Sequence, residues 1–248
     1  MKLVESAGRA ALTGRDMGRL AGQKVFFGHR SVGDDIVRGL RDCMASEPEL
    51  KLHIVQSADP QLEAGPVFVE CQLGRNGDPQ SKLEAFAAII NKGMGREGGI
   101  AMFKYCYLDV GPSTDIPKMF EDYRQGMEAL KSKYPLLQIV HITIPLTTVE
   151  PAVKAWAARV VRQATARELN RKRCEYNRFL VQTFGARDAI FDLAEAESTH
   201  SDGRRSGFVA DAREIFTLAP EFTTDGGHLN EAGRRIAAQH LLLTLAKL

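Results

Sequence analysis

Short apolar runs alternate with amphipathic stretches along most of this chain, and that alternation predicts its elements. Lys24-Val25-Phe26-Phe27 is a strand-sized apolar run that ends at Gly28. After the turn Gly28-His29-Arg30-Ser31-Val32-Gly33, the positions Ile36, Val37 and Leu40 recur at helical spacing. Leu50-Lys51-Leu52-His53-Ile54-Val55 alternates as a second strand does. Residues 57–82 read as loop, including Gly74-Arg75-Asn76-Gly77-Asp78-Pro79, whose Asn-Gly and Asp-Pro pairs form turns wherever they occur. Leu83, Phe86, Ala87 and Ile90 mark a helix, and Ile100-Ala101-Met102-Phe103, continuing through Lys104 to Asp109, is a third strand. Ser113 or Asp115 caps the next helix, whose stripe of Ile116, Met119, Phe120, Tyr123, Met127 and Leu130 faces a core and stops before Pro135.

Leu137 to Ile144 is a fourth strand, and His141 inside it reads as a core histidine. Residues 151–183 form a long helical region, in which Arg159, Arg162, Arg167, Arg171, Lys172 and Arg173 read as a solvated basic face. Ala189 to Leu193 is a fifth strand, and Thr199 to Gly207 is expected to be a mobile polar loop near the site. The last helix starts after Asn230, a good N-cap, and buries Ile236, Ala237, Leu241 and Leu245. Strands alternating with helices call for a parallel sheet covered on both faces. The expected α/β fold is a three-layer α/β/α sandwich with a parallel sheet of about five strands. It forms one domain over residues 1–248, with residues 1–22 as an N-terminal extension.

Composition narrows the function. With 44% hydrophobic and 26% charged residues, the 248-residue chain is ordinary for a globular protein. A formal net charge of +2 is too small to point to a nucleic-acid partner. The apolar runs are strand-sized, so no membrane span is expected. The start, Met1-Lys2-Leu3-Val4-Glu5, lacks the apolar core of a secretory signal, which implies a cytoplasmic protein unless a leader has been removed. Cys43, Cys71, Cys106 and Cys174 are scattered without a C-x-x-C pair and read as free, mostly buried thiols, neither a zinc site nor a disulfide framework. No nucleotide-binding glycine loop is present, so no organic cofactor is expected.

Two stretches carry chemistry. In Thr224-Asp225-Gly226-Gly227-His228-Leu229-Asn230 an acid and an imidazole are separated by two glycines. In the tight loop those glycines allow, Asp225 can orient His228 and leave its other nitrogen as a base. Ser31, at the sharp turn between the first strand and its helix, is the candidate nucleophile. The helix start there favours negative charge developing near it. Loops that follow strands of a parallel sheet gather at one edge, so these two stretches can meet. The α/β-hydrolase pattern is disfavoured, because Ser31 lies in G-x-x-S-x-G rather than G-x-S-x-G. A metal-dependent hydrolase using His29, His228 and Asp225 lacks any H-x-x-x-H or H-E-x-x-H spacing.

From Lys24 to Leu248 these residues resemble the SGNH (GDSL-like) hydrolases, whose flavodoxin-like fold places a serine after the first strand and Asp-x-x-His before the last helix. Asp225-Gly226-Gly227-His228-Leu229-Asn230-Glu231-Ala232-Gly233 matches that final block, and the strand ending Ile144-Pro145 matches the middle section. The resemblance implies Ser31 as nucleophile, His228 as general base and then acid, and Asp225 as its orienting partner. The first block here reads Gly28-His29-Arg30-Ser31, without the family's aspartate before the serine. The third reads Cys106-Tyr107-Leu108-Asp109, where the family has Gly-x-Asn-Asp, and Leu108 cannot donate the hydrogen bond that Asn supplies. One missing oxyanion donor costs roughly 10²–10³ in turnover, so a substitute is needed. The Ser31 and Gly74 amides are expected donors, with Asn76 or Lys104 as candidates for the third place. The implied enzyme is a serine esterase that removes a small acyl group such as acetyl from an oxygen ester, on a small molecule or a carbohydrate. The alternatives are an O-acyltransferase using the same triad and a non-catalytic carbohydrate-binding protein on the same scaffold.

Overall fold

The run from Lys24 becomes the central strand because every residue from Val25 to His29 is buried, and a strand covered on both faces must exclude water along its whole length. The computed structural model describes residues 12–59, 65–149 and 164–248. Among them, six parallel strands form one sheet: β1 (Lys24–His29), β2 (Ile54–Gln56), β3 (Val67–Gln72), β4 (Gly99–Phe103), β5 (Leu137–Ile142) and β6 (Ala189–Phe191), in the order β2-β3-β1-β4-β5-β6. The main helices among the described residues are α1 (Gly14–Ala21), α2 (Val32–Ser46), α3 (Pro79–Ile89), α4 (Ile116–Lys133), α5 (Ala166–Phe184), α6 (Leu193–Ser198) and α7 (Glu231–Leu245). An antiparallel hairpin, β7 (Gly207–Ala210) with β8 (Arg213–Phe216), stands apart from the sheet.

Successive residues of β1 feed opposite faces, as the two-residue period of a strand requires. Phe27 belongs to a core cluster with Leu20 of α1, Ile36 and Leu40 of α2, and Leu241 and Leu245 of α7. Phe26 belongs to a second cluster with Phe86 of α3, Met127 of α4, and Leu180 and Phe184 of α5. The result is a three-layer sandwich. Two helices of the first face approach closely at Gly39, where a Cβ would lie 2.2 Å from the Arg234 carbonyl oxygen and 3.0 Å from Ala238. That crossing sets α2, which begins at Ser31, against α7, which follows His228.

Several expectations are corrected. Residues 57–82 contain β3, a full partner of β1. The strand was obscured by Glu70 at its centre, which is 5% exposed and tolerated there because His29 Nε2 lies 2.9 Å from its carboxylate. The second strand occupies only Ile54–Gln56, and the third stops at Phe103, after which Tyr107–Asp109 forms a 3-10 turn. Thr199 to Gly207 is a hydrogen-bonded turn, closed by His200 N to Arg204 O at 2.8 Å and Ser206 N to Ser198 O at 2.7 Å. Within the expected basic face, Arg159 and Arg162 lie outside the described residues, and Arg173 is 2% exposed and points inward. His141 is a core residue, stacked on Phe184 and 2.8 Å from the Tyr123 hydroxyl, and burial pushes its pKa down to about 4.

Because β1 lies between β3 and β4, the chain reverses its direction across the sheet there. Crevices at the carboxyl ends of strands open at such a reversal. The loops after β1, β3 and β4 border this one.

Candidate active site

Ser31 sits where the chain must turn from β1 into α2 within two residues. It takes φ 23° and ψ −81°, a backbone conformation that costs a residue with a side chain on the order of 1–3 kcal/mol. The turn is held by Gly33 N donating to Arg30 O at 2.7 Å and Asp35 N to Ser31 O at 3.2 Å. The Ser31 hydroxyl does not cap its own helix; it lies 4.0 Å from Cys106 Sγ, in the loop after β4. Arg30 fastens the loop after β3 alongside. It donates to Leu73 O at 3.0 Å, to Gln72 Oε1 at 2.9 Å and to the Gly74 carbonyl. Gly74 has φ +53°, and a Cβ there would sit 2.6 Å from Lys82 N, so this turn excludes any side chain.

The Asp225–His228 loop closes on itself. One Asp225 oxygen accepts the amides of Gly227 at 2.9 Å and His228 at 2.8 Å, and the other lies 2.6 Å from His228 Nδ1. The amide of His228, its ring and then the Gly227 amide hold the Asp225 carboxyl well below the usual range. The carboxylate therefore stays charged and fixes the proton of His228 on Nδ1, which leaves Nε2 as the basic nitrogen. Nε2 has no hydrogen-bond partner among the described residues, and the His228 side chain is 43% exposed. Gly226, at φ +89°, gives the loop its bend, and its carbonyl accepts the Thr148 amide at 2.9 Å.

Two links bring Ser31 and His228 to one end of the sheet without a direct hydrogen bond. Asp35, one turn into α2, accepts the amide of Leu229 at 3.1 Å. Tyr107, which follows Cys106, stands edge-on to the His228 ring with centroids 5.9 Å apart. A serine–histidine hydrogen bond is often long in a free enzyme and tightens when substrate binds.

The remaining predicted positions fall as follows. The amides of Ser31 and Gly74 make no hydrogen bond among the described residues. Asn76 is exposed and its carbonyl oxygen accepts Lys82 Nζ at 3.0 Å. Lys104 is fully buried; among the described residues its ammonium reaches only the Tyr105 carbonyl, at 3.5 Å, and burial pushes its pKa down to about 8. His29 is paired with Glu70, and no group of three His, Cys, Asp or Glu among the described residues is placed to hold a metal ion.

Three residues with no site role in the sequence reading shape the site. Asp109, in a buried ion pair with Lys82 at 2.5 Å, also accepts Cys106 N at 2.7 Å and Gly77 N at 2.8 Å, and so ties the loops after β3 and β4 together. Arg173 donates twice to the Tyr107 carbonyl, at 3.2 and 3.0 Å, and once each to Thr147 Oγ1 and Asn170 Oδ1. Asp35 is the third. Only Asp109, the last residue of the altered third block, carried any signal in the sequence. A cleft of about 420 Å³ between α5 and β8, lined by Leu146, Cys174 and Phe216, includes none of Ser31, Asp225 or His228.

No protein-family model matches the sequence, and no curated protein matches it either. Solved structures do. A GDSL-like lipase from Bacteroides thetaiotaomicron aligns over 98% of this chain and 94% of its own, with a TM-score of 0.55 and 14% identity. A member of the lipolytic G-D-S-L family from Veillonella parvula aligns over 90% of this chain and 98% of its own, with a TM-score of 0.53 and 13% identity. A lipase/acylhydrolase from Enterococcus faecalis aligns over 90% and 94%, with a TM-score of 0.52 and 10% identity. The chain has the SGNH, or GDSL-like, hydrolase fold. At these identities the likeness establishes the SGNH architecture, and the chemistry rests on the residues themselves.

Proposed function

We propose that this protein is a serine esterase that removes a small acyl group such as acetyl from an oxygen ester of a small molecule or carbohydrate. Ser31 is the nucleophile, His228 the general base and then acid, and Asp225 the residue that orients it. The observation that carries the reading is the Asp225–His228 pair at 2.6 Å, with Nε2 unpartnered among the described residues and Ser31 held at the same sheet edge.

The reaction runs in two halves. His228 Nε2 takes the hydroxyl proton as Ser31 Oγ bonds to the ester carbon. The Ser31 and Gly74 amides stabilise the negative charge that develops on the carbonyl oxygen. The ester C–O bond breaks, and His228 returns the proton to the leaving alcohol. Water then gives a proton to His228 as its oxygen bonds to the acyl carbon; the acyl–Oγ bond breaks, His228 returns the proton to Ser31 Oγ, and the acid leaves. The same triad also transfers an acyl group to another hydroxyl. Water is favoured as acceptor because the His228 and Asp225 side chains are 43% and 54% exposed, which admits water to the base.

Hydrolysis of p-nitrophenyl acetate by the wild type and by Ser31→Ala, both checked as folded by circular dichroism, tests this reading. A burst with turnover in the wild type and a silent variant support it. If neither protein turns over the ester, and Ser31 also fails to label with a fluorophosphonate, the site is not catalytic and the binding-protein reading replaces it.

A further inference from the structure

The position after Tyr107 is filled by Leu108, which is 53% exposed and carries no donor. A tetrahedral intermediate on Ser31 needs hydrogen bonds on its oxygen, and each preorganised donor is worth roughly 10²–10³ in rate. The side chains that border the Ser31–His228 space therefore decide how the charge is held. Asn76 has its carbonyl oxygen engaged by Lys82, and Lys104 is fully buried. The Cys106 thiol lies 4.0 Å from the Ser31 hydroxyl but is a weak donor.

Tyr107 differs from all of these. Its hydroxyl has no hydrogen-bond partner among the described residues, although the side chain is half-buried. It follows Cys106, whose thiol lies 4.0 Å from the Ser31 hydroxyl, and its ring centroid lies 5.9 Å from that of His228. The hydroxyl borders Gly227, where a Cβ would lie 3.0 Å away, so the glycine keeps the space beside it open. The residue's backbone is also anchored. Two Arg173 hydrogen bonds clamp its carbonyl, and the guanidinium sits 5.7 Å from its ring centroid. A donor that needs no reorganisation during the reaction is the kind that contributes most. Burial, helped by the nearby Asp225 carboxylate, raises the pKa of the phenol above its ordinary value, so it remains a proton-bearing donor at neutral pH.

We propose that Tyr107 is a further catalytic residue, whose hydroxyl donates a hydrogen bond to the substrate oxygen that gains charge when Ser31 attacks. The proposal rests on the serine-esterase reading above. No proton moves from Tyr107; the phenol supplies a hydrogen bond that strengthens as the carbonyl oxygen becomes an oxyanion.

The test is Tyr107→Phe, which removes one oxygen that has no hydrogen-bond partner among the described residues, with an unchanged melting temperature as control. Two rates are read: steady-state kcat and KM on p-nitrophenyl acetate, and the rate of fluorophosphonate labelling of Ser31, where the phosphonyl oxygen takes the place of the oxyanion. The expected result is a fall of about 10- to 100-fold in kcat and in labelling rate, with KM unchanged. Wild-type rates in the variant overturn the proposal while leaving Ser31 as nucleophile. A rise in KM alone also overturns it, because the hydroxyl would then bind substrate and transition state equally. If the wild type itself neither turns over nor labels while Ser31→Ala behaves identically, the esterase reading has failed and the proposal falls with it.

Discussion

The Asp35 carboxylate accepts the amide of Leu229 at 3.1 Å, across 194 positions of sequence. Asp35 belongs to the helix that Ser31 begins, and Leu229 is the residue after His228. This one hydrogen bond joins the two loops on which the proposed chemistry depends. Burial raises the pKa of Asp35, while the Leu229 amide and the nearby His228 pull it back.

Asp35→Ala leaves the Leu229 amide buried without its partner, at a cost of about 1–3 kcal/mol. Turnover of p-nitrophenyl acetate is expected to fall at least roughly tenfold, because misplacing a base by about an ångström costs on that scale or more. Asp35→Asn keeps an acceptor and is expected to stay near wild type. Full activity in the alanine variant would show that the link does not position His228.

Ser31→Gly separates strain from function. The φ of 23° is costly for serine and easily adopted by glycine. Relief of strain outweighs the added freedom of the unfolded chain, so the variant is expected to gain roughly 1 kcal/mol in urea unfolding while losing all ester hydrolysis. A less stable variant would mean that the surrounding contacts have already absorbed the strain.

The Lys82–Asp109 pair makes a sharper stability prediction. Both side chains are 1% exposed or less, so removing one leaves an uncompensated buried charge. Asp109→Ala is expected to cost about 3–5 kcal/mol, read from urea midpoints. Lys82→Met added to Asp109→Ala should recover part of this loss. Recovery is partial, because the amides of Cys106 and Gly77 lose the same acceptor.

Glu197 predicts a pH dependence. It is fully buried in α6, accepts the Leu146 amide, and its pKa is raised by burial from 4.5 to about 8. Folding therefore favours the protonated form. Its contribution is complete below pH 4.5 and is lost as pH rises through about 8, by an amount on the order of a few kcal/mol. Lys104, lowered from 10.5 to about 8, acts in the opposite sense above that point, where stability rises with pH until about 10.5. Wild-type stability is thus expected to pass through a minimum near pH 8. Glu197→Gln should flatten the descent between pH 5 and 8, measured by urea denaturation at each pH. An unchanged slope would place the titration elsewhere.

The sequence by itself determined the features that depend on neighbouring residues. The apolar run of β1, the glycine-flanked turn at Ser31, the Asp225 to His228 loop and the Asn230 cap of α7 are all local. Asn230 accepts the Gly233 amide at 3.0 Å, three residues away, and Asp225 reaches His228 over the same spacing. Period and turn chemistry are enough to read such elements.

Tertiary structure alone decided the rest, because a side chain's partner is set by what packs opposite it and not by its neighbours in the chain. β3 was hidden by Glu70, which looks out of place in a strand until His29 of β1 is set beside it. Arg173 resembles its solvated neighbours on α5 until the loops after β4 and β5 bring the Tyr107 carbonyl and Thr147 to its guanidinium. The same physics placed Asp35 under Leu229. A buried polar group must find a partner, and only the folded chain determines which one is within reach.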